Sequence, residues 1–467
     1  MKPPALKLPF AETSAKALPI RSFTAAQWGK DSRREPAATR AWAEAQGFAA
    51  KPGQVLLLPD AAGRPRAVLA GLPEQADLWS YAALAAALPE GDYRLDFQPA
   101  NADDAALGWA LAGYRFDRYR KTQATSGAKP LARLVLPKAA NKARVQAIYE
   151  AMALARDLIT TPSNDLGPAE LAAAAQSVAK RFKAQCRVIT GEQLLKQNYP
   201  LIHMVGRAAA PQRQPRLIDI TWGSPKAPKV TLVGKGVCFD SGGLDIKPPA
   251  GMLMMKKDMG GAAIMLGLAQ AIMALKLPIR LRLLIPAVEN AISADAFRPG
   301  DVCRSRKGLT VEIGNTDAEG RLILADALAE ADGEKPELLL NAATLTGAAR
   351  VALGPDLPAL FSTDDALADA LLAAGRVTGD PFWRLPLHSP YRDYLDSKVA
   401  DINNAGDTPF AGSITAALFL RDFVSNTKAW AHLDVYAWTA RPRPGRPAGG
   451  EAMGLRALLH ILEQRYR

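Results

Sequence analysis

Cysteine is scarce: Cys186, Cys238 and Cys303 are the only three in 467 residues, far apart and in no Cys-x-x-Cys pairing. This excludes a disulfide framework and a thiolate zinc site, and it suits a reducing cytoplasm. Histidine is nearly as scarce, with His203, His388, His432 and His460 alone, so any metal centre here must rest mainly on oxygen ligands. No segment reaches the roughly 18 uncharged apolar residues that cross a bilayer, and Met1-Lys2-Pro3-Pro4-Ala5-Leu6-Lys7 lacks the apolar core of an export signal. Neither membrane insertion nor export is expected. Acidic residues are outnumbered, 58 Lys+Arg against 46 Asp+Glu for a net +12, a balance that attracts phosphate. Spread over so long a chain it reads as solubility. Nucleic acid is not the expected partner, although residues 138–144 and the basic loop Arg441-Pro442-Arg443-Pro444-Gly445-Arg446-Pro447 could touch it.

What the chain does hold is core. With 49% apolar and 7% aromatic residues it can fill two or three domains. Residues 1–140 read as a small α/β domain, with strands at 54–58 and 66–70 around the turn Ala61-Ala62-Gly63-Arg64-Pro65 and Ala-rich helices at 79–88 and 103–114. No ligand-like cluster occurs there. A helical stretch over 141–160 reads as a connector, broken at Thr160-Thr161-Pro162-Ser163-Asn164. Residues 161–467 alternate strands with helices, including strands at 216–220, 229–233, 279–285, 310–313 and 337–340. That rhythm predicts a mostly parallel central sheet flanked by helices.

The polar residues of this second domain gather at strand ends. Thr310-Val311-Glu312-Ile313 runs as a strand into the turn Asn315-Thr316-Asp317-Ala318-Glu319-Gly320, and a helix follows from Arg321. Taken alone, Asp-x-Glu-x-Arg is more simply an exposed acidic turn with a neighbouring ion pair. Two other stretches weigh against that: Gly234-Lys235-Gly236 leading to Phe239-Asp240-Ser241-Gly242-Gly243 and Lys247, and Met255-Lys256-Lys257-Asp258-Met259 ahead of a helix. Three Asp and one Glu converging at the top of one sheet would repel by several kcal/mol unless neutralised, which two divalent cations would do. Zinc, manganese or magnesium suit such oxygen ligands. A lysine could ligate only as the neutral amine. Such a pair of cations activates water for hydrolysis, and an uncoordinated lysine would stabilise the oxyanion.

These motifs together resemble the leucyl aminopeptidase (cytosol aminopeptidase) family of dinuclear metallo-exopeptidases. Asn315 to Leu322 is similar to the family's signature octapeptide at every position, and Ala343-Thr344-Leu345-Thr346-Gly347-Ala348 to its substrate-backbone loop. The resemblance covers about residues 150–467. It implies that Lys235, Asp240, Asp258 and Glu319 hold one metal ion, Zn²⁺ or Mn²⁺, and that Asp240, Asp317 and Glu319 hold the second. It implies that Lys247 binds the scissile carbonyl and its gem-diolate, and that Arg321 anchors a bicarbonate general base. Main-chain groups around Leu345 and Gly347, with the Thr344 side chain nearby, would position the peptide, and Met255 would line the pocket for its first side chain. A Leu- or Met-like preference, a homohexamer and a cytoplasmic location are further implied. A phosphoesterase fits clustered carboxylates alone but not the complete signature, and a catalytically dead relative is disfavoured because no ligand position is substituted.

Overall fold

The computed structural model describes residues 8–12, 16–120 and 132–467. The chain divides into two compact units, one of Ala151–Thr439 with Gly449–Arg467, the other of residues up to Glu150 with Ala440–Ala448. The dividing point lies inside the helix Lys142–Thr160.

The N-terminal unit holds a six-stranded sheet in the order Phe10–Ala11, Ala132–Val135, Gly91–Leu95, Leu18–Phe23, Pro65–Gly71, Val55–Pro59. Its pairings are parallel except for the last two strands, the hairpin read from the turn at Gly63. The helices Leu78–Ala87 and Ala102–Ala112 each begin on a side-chain cap, Asp77 and Asn101. They approach closely at Gly108, where a Cβ would stand 2.1 Å from the Leu78 carbonyl oxygen.

The larger unit is built on a nine-stranded sheet. Eight strands lie in the order Trp383–Arg384, Ala359–Ser362, Trp430–Asp434, Leu338–Ala343, Lys229–Gly234, Arg280–Asn290, Arg216–Trp222, Gln185–Thr190. The ninth, Gly236–Asp240, pairs with the far end of Arg280–Asn290. The central pairings are parallel and the antiparallel ones lie toward the edges. The central strands are buried almost throughout, as strands covered by helices on both faces must be. The helices Gly260–Ala274 and Glu319–Gly333 are largely buried, too.

Two differences from the sequence reading bear on function. The strand expected over 279–285 continues through Pro286 to Asn290. Pro286 has no N–H to give, but it sits between the rung joining Leu284 to Val233 and the rung joining Ala287 to Gly236, where the partner chain itself breaks step at Lys235. The second difference concerns Thr310–Glu312, which does not join the central sheet. It pairs with Val302–Arg304 and Ile402–Asn403 in a separate three-stranded sheet. The Asp317/Glu319 turn therefore reaches the site from outside the central sheet, whereas the alternation of strands and helices alone had suggested one continuous layer.

Candidate metal centre

Five parallel strands deliver polar side chains at their carboxyl ends, where sheets of this kind hold ligands. Asp240, Asn290 and Asp434 are the last residues of their strands, and Lys235 and Thr344 directly follow theirs. Lys235 is held in place by its own backbone, its N–H donating to Ala342 O at 3.1 Å and its carbonyl accepting from Ala262 N at 2.8 Å. Beyond Asp240 the chain turns through Gly242 and Gly243, at φ +89° and +68°, angles that side-chain-bearing residues rarely adopt. A Cβ on Gly242 would also meet the Asp245 carbonyl oxygen at 2.6 Å. Asp258 comes from the short 3₁₀ turn Met255–Met259. Glu319 opens the helix Glu319–Gly333, where the helix dipole favours a carboxylate.

The four expected carboxylates and both expected lysines come together. One oxygen each of Asp240, Asp317 and Glu319 lie within 4.8 Å of one another. Lys235 Nζ is 2.7 Å from Asp258 Oδ2, 2.9 Å from Glu319 Oε1 and 2.9 Å from the Thr344 carbonyl oxygen. Lys247 Nζ is 2.9 Å from Asp240 Oδ2 and also pairs with Asp317 Oδ1. Burial disfavours the Lys235 ammonium, but Asp258, Glu319 and Asp240 outweigh it and hold its pKa above the ordinary lysine value. Lys247 is raised likewise, by Asp240 and Asp317 against its burial. Burial, with Asp240 beside them, pushes the Asp317 carboxyl up to about 6 and Glu319 well above its usual range. Four carboxylates against two ammonium groups leave excess negative charge in a buried space. Asp258 Oδ2, Asp317 Oδ1 and Glu319 Oε1 are buried, with a lysine ammonium as their one polar partner among the described residues. Inward-facing carboxylate oxygens of this kind fit divalent cations.

Arg321 is buried, donates to the Asn404 carbonyl oxygen at 2.8 Å, and keeps Nε without an acceptor. Burial lowers its pKa to about 10. The Thr344 hydroxyl donates to Asp258 Oδ1 at 2.8 Å, and Leu345 N–H donates to Asp434 Oδ1 at 3.0 Å. Gly347 begins the helix Gly347–Leu353, so its N–H has no intrahelical acceptor. A Cβ there would meet nothing within 4 Å. Met255 is half-buried and lines, with Lys235, Asp240, Lys247, Asp258 and Asp317, a cavity of about 530 Å³ that also reaches Thr344, Leu345 and Gly347.

The residues that hold these carboxylates in place were not legible as such. Asn290 Nδ2 donates to Asp240 Oδ1 at 2.9 Å and to the Thr316 carbonyl at 3.1 Å. Asn404, fully buried, accepts from Gly314 N and Asn315 N and donates to the Asn315 carbonyl. Thr316 Oγ1 donates to the Gly242 carbonyl at 2.7 Å, and Thr316 N–H donates to Asp245 Oδ2 at 2.8 Å, which ties the Asp240 and Asp317 loops together.

Clustered carboxylates with lysines interleaved, at the carboxyl ends of a mostly parallel sheet, are the build of a metallohydrolase. The chain belongs to the cytosol aminopeptidase family: the family's catalytic domain matches residues 153–459, and the M17 aminopeptidase N-terminal domain matches residues 18–137. It is 39% identical over 455 residues to a probable cytosol aminopeptidase of Syntrophotalea carbinolica, covering 90% of each chain. The crystal structure of cytosol aminopeptidase from Coxiella burnetii is 50% identical and superposes with a TM-score of 0.92 over 98% of this chain and 99% of that one. The bottromycin maturation enzyme BotP in complex with Mn is 37% identical, with a TM-score of 0.84 over 97% of this chain and 100% of that one. The protein is accordingly a hydrolase, a metal-dependent aminopeptidase acting on peptides.

Proposed function

We propose that Lys235, Asp240, Asp258 and Glu319 hold one divalent cation and Asp240, Asp317 and Glu319 a second, Zn²⁺ or Mn²⁺, and that catalysis belongs to residues 161–467. The observation that carries this is the trio of Asp240, Asp317 and Glu319 oxygens within 4.8 Å of one another, in a buried site whose four carboxylates have only two lysines to offset them. Bound there, the cations would supply Lewis acidity and a water of lowered pKa. To serve as a ligand Lys235 gives up its proton, which its carboxylate neighbours otherwise retain.

The chain's own residues do the rest. Lys247 is a fixed positive charge at the cavity wall and stabilises the negative charge that develops on the scissile carbonyl oxygen as the gem-diolate forms. Arg321, with Nε unspent in a buried setting, holds an anion such as bicarbonate as general base. The N–H of Gly347 and the main chain at Leu345 align the peptide, Thr344 steadies Asp258, and Met255 closes the pocket for the first side chain. The apolar character of Met255 supports a Leu- or Met-like preference. A homohexamer in the cytoplasm, without nucleic acid, is the assembly and setting we infer from the family.

The test is hydrolysis of aminoacyl amides and dipeptides by metal-stripped protein before and after adding Mn²⁺ or Zn²⁺, with Asp317→Ala alongside. Release of N-terminal residues that returns with metal and is lost in Asp317→Ala is expected. No release with any metal would sink this assignment of the site.

A further inference from the structure

The cavity wall beside Asp258 carries positive charge that nothing in the proposed chemistry uses. Lys257 is buried, at 5% exposure, and its ammonium lies 4.4 Å from the centre of the Tyr436 ring. Arg350, on the exposed side of the helix Gly347–Leu353, stacks its guanidinium on the same ring at 5.4 Å. All three residues line the cavity that holds Asp240, Lys247 and Asp317. The aromatic face attracts both cations and so concentrates two like charges on one wall.

Neither cation has a carboxylate within ion-pair distance among the described residues. The two acidic groups that act on Lys257 are already committed. Asp434 accepts from the N–H groups of Leu345 and Thr346 and from the Thr346 hydroxyl. Asp258 accepts from the Thr344 hydroxyl and pairs with Lys235. A buried lysine without an ion pair is costly to keep, and here it faces the space a substrate enters.

We propose that Lys257 and Arg350, held on Tyr436, bind a carboxylate of the substrate, so that this enzyme favours peptides carrying a negative charge close to the scissile bond. The carboxylate can be an acidic side chain on the first or second residue, or the C-terminus of a dipeptide. This inference rests on the reading above of where the peptide lies relative to the carboxylate cluster and Met255. It adds a charge preference to the apolar pocket, with Lys257 and Arg350 acting as specificity residues outside the reacting atoms.

Three matched pairs separate the sources: Glu-Ala-amide against Gln-Ala-amide, Ala-Glu-amide against Ala-Gln-amide, and Leu-Ala against Leu-Ala-amide. The quantity read is the kcat/KM ratio of charged to neutral member, in the metal-loaded enzyme and in Lys257→Met and Arg350→Gln. A ratio of at least about tenfold is expected in one pair, the scale of one charge-assisted hydrogen bond, falling toward one in the variants. Because Arg350 is exposed, Arg350→Gln keeps the test decisive even if Lys257→Met fails to fold. A ratio below about threefold in all three pairs, or one that persists in Arg350→Gln, overturns the inference while leaving the aminopeptidase site standing. No turnover of either member of any pair would overturn the site assignment and this inference together.

Discussion

At the scale of single residues, the site separates side chains that react from side chains that hold. Lys247 faces the cavity between Asp240 and Asp317. Lys247→Met is expected to lower kcat by about 10²–10³-fold, the usual effect of removing one oxyanion donor, while metal content measured by elemental analysis stays at the wild-type level. Gly347 isolates substrate contact from stability. A Cβ there meets nothing within 4 Å and alanine favours helix more than glycine does, so Gly347→Ala should keep or raise the melting temperature while raising KM, as the new methyl stands where we propose the peptide lies. An unchanged KM would remove Gly347 from the peptide-binding surface. Asn404 is the opposite case, a residue with no reacting partner whose amide and carbonyl fix both Arg321 and the turn before Asp317.

Among elements, the helix Gly260–Ala274 and the strand Leu338–Ala343 press together until no side chain fits between them. A Cβ on Gly261 would stand 2.0 Å from the Ala342 carbonyl oxygen, so Gly261→Ala should destabilise by about 1–3 kcal/mol or more in urea unfolding. Gly333→Ala, where a Cβ meets nothing, should change stability by no more than about 1 kcal/mol. That these three loops converge was legible in the sequence because each packs its charged residues into a short run: Lys235 to Asp240, Met255 to Asp258, Asp317 to Arg321. Partners far along the chain were not legible. That Asn290 would hold Asp240, or that Ile402–Asn403 would complete the small sheet under the Asp317 turn, depends on pairings that no local pattern encodes. The end of the strand at Asn290 was hidden by Pro286, whose missing N–H argues for a break until its partner's own interruption at Lys235 is seen.

For the whole molecule, stability should depend on both metal and pH. Cations held by the folded site and not by the unfolded chain would add about 2.7 kcal/mol of unfolding free energy for each site at a hundredfold excess over its Kd, so a chelator should lower the melting temperature and abolish peptide release together. Because the raised Lys235 must lose its proton to ligate, metal affinity should increase with pH when followed by titration calorimetry. His432 acts independently of metal. Burial between Phe361 and Trp430 lowers its pKa to about 3, so the unfolded chain binds a proton below about pH 6.5 that the folded protein refuses. Stability should fall as pH drops from about 6.5 toward 3, by roughly 1.4 kcal/mol per pH unit from this group. His432→Gln should flatten that slope in unfolding measured across pH. The N-terminal unit, finally, is not finished by its own stretch of chain. Arg446 from Ala440–Ala448 lies 3.7 Å over the Trp79 ring, so a ribosome making this protein releases the first domain long before the piece that covers Trp79 has been synthesised. The first domain to emerge is among the last to be completed.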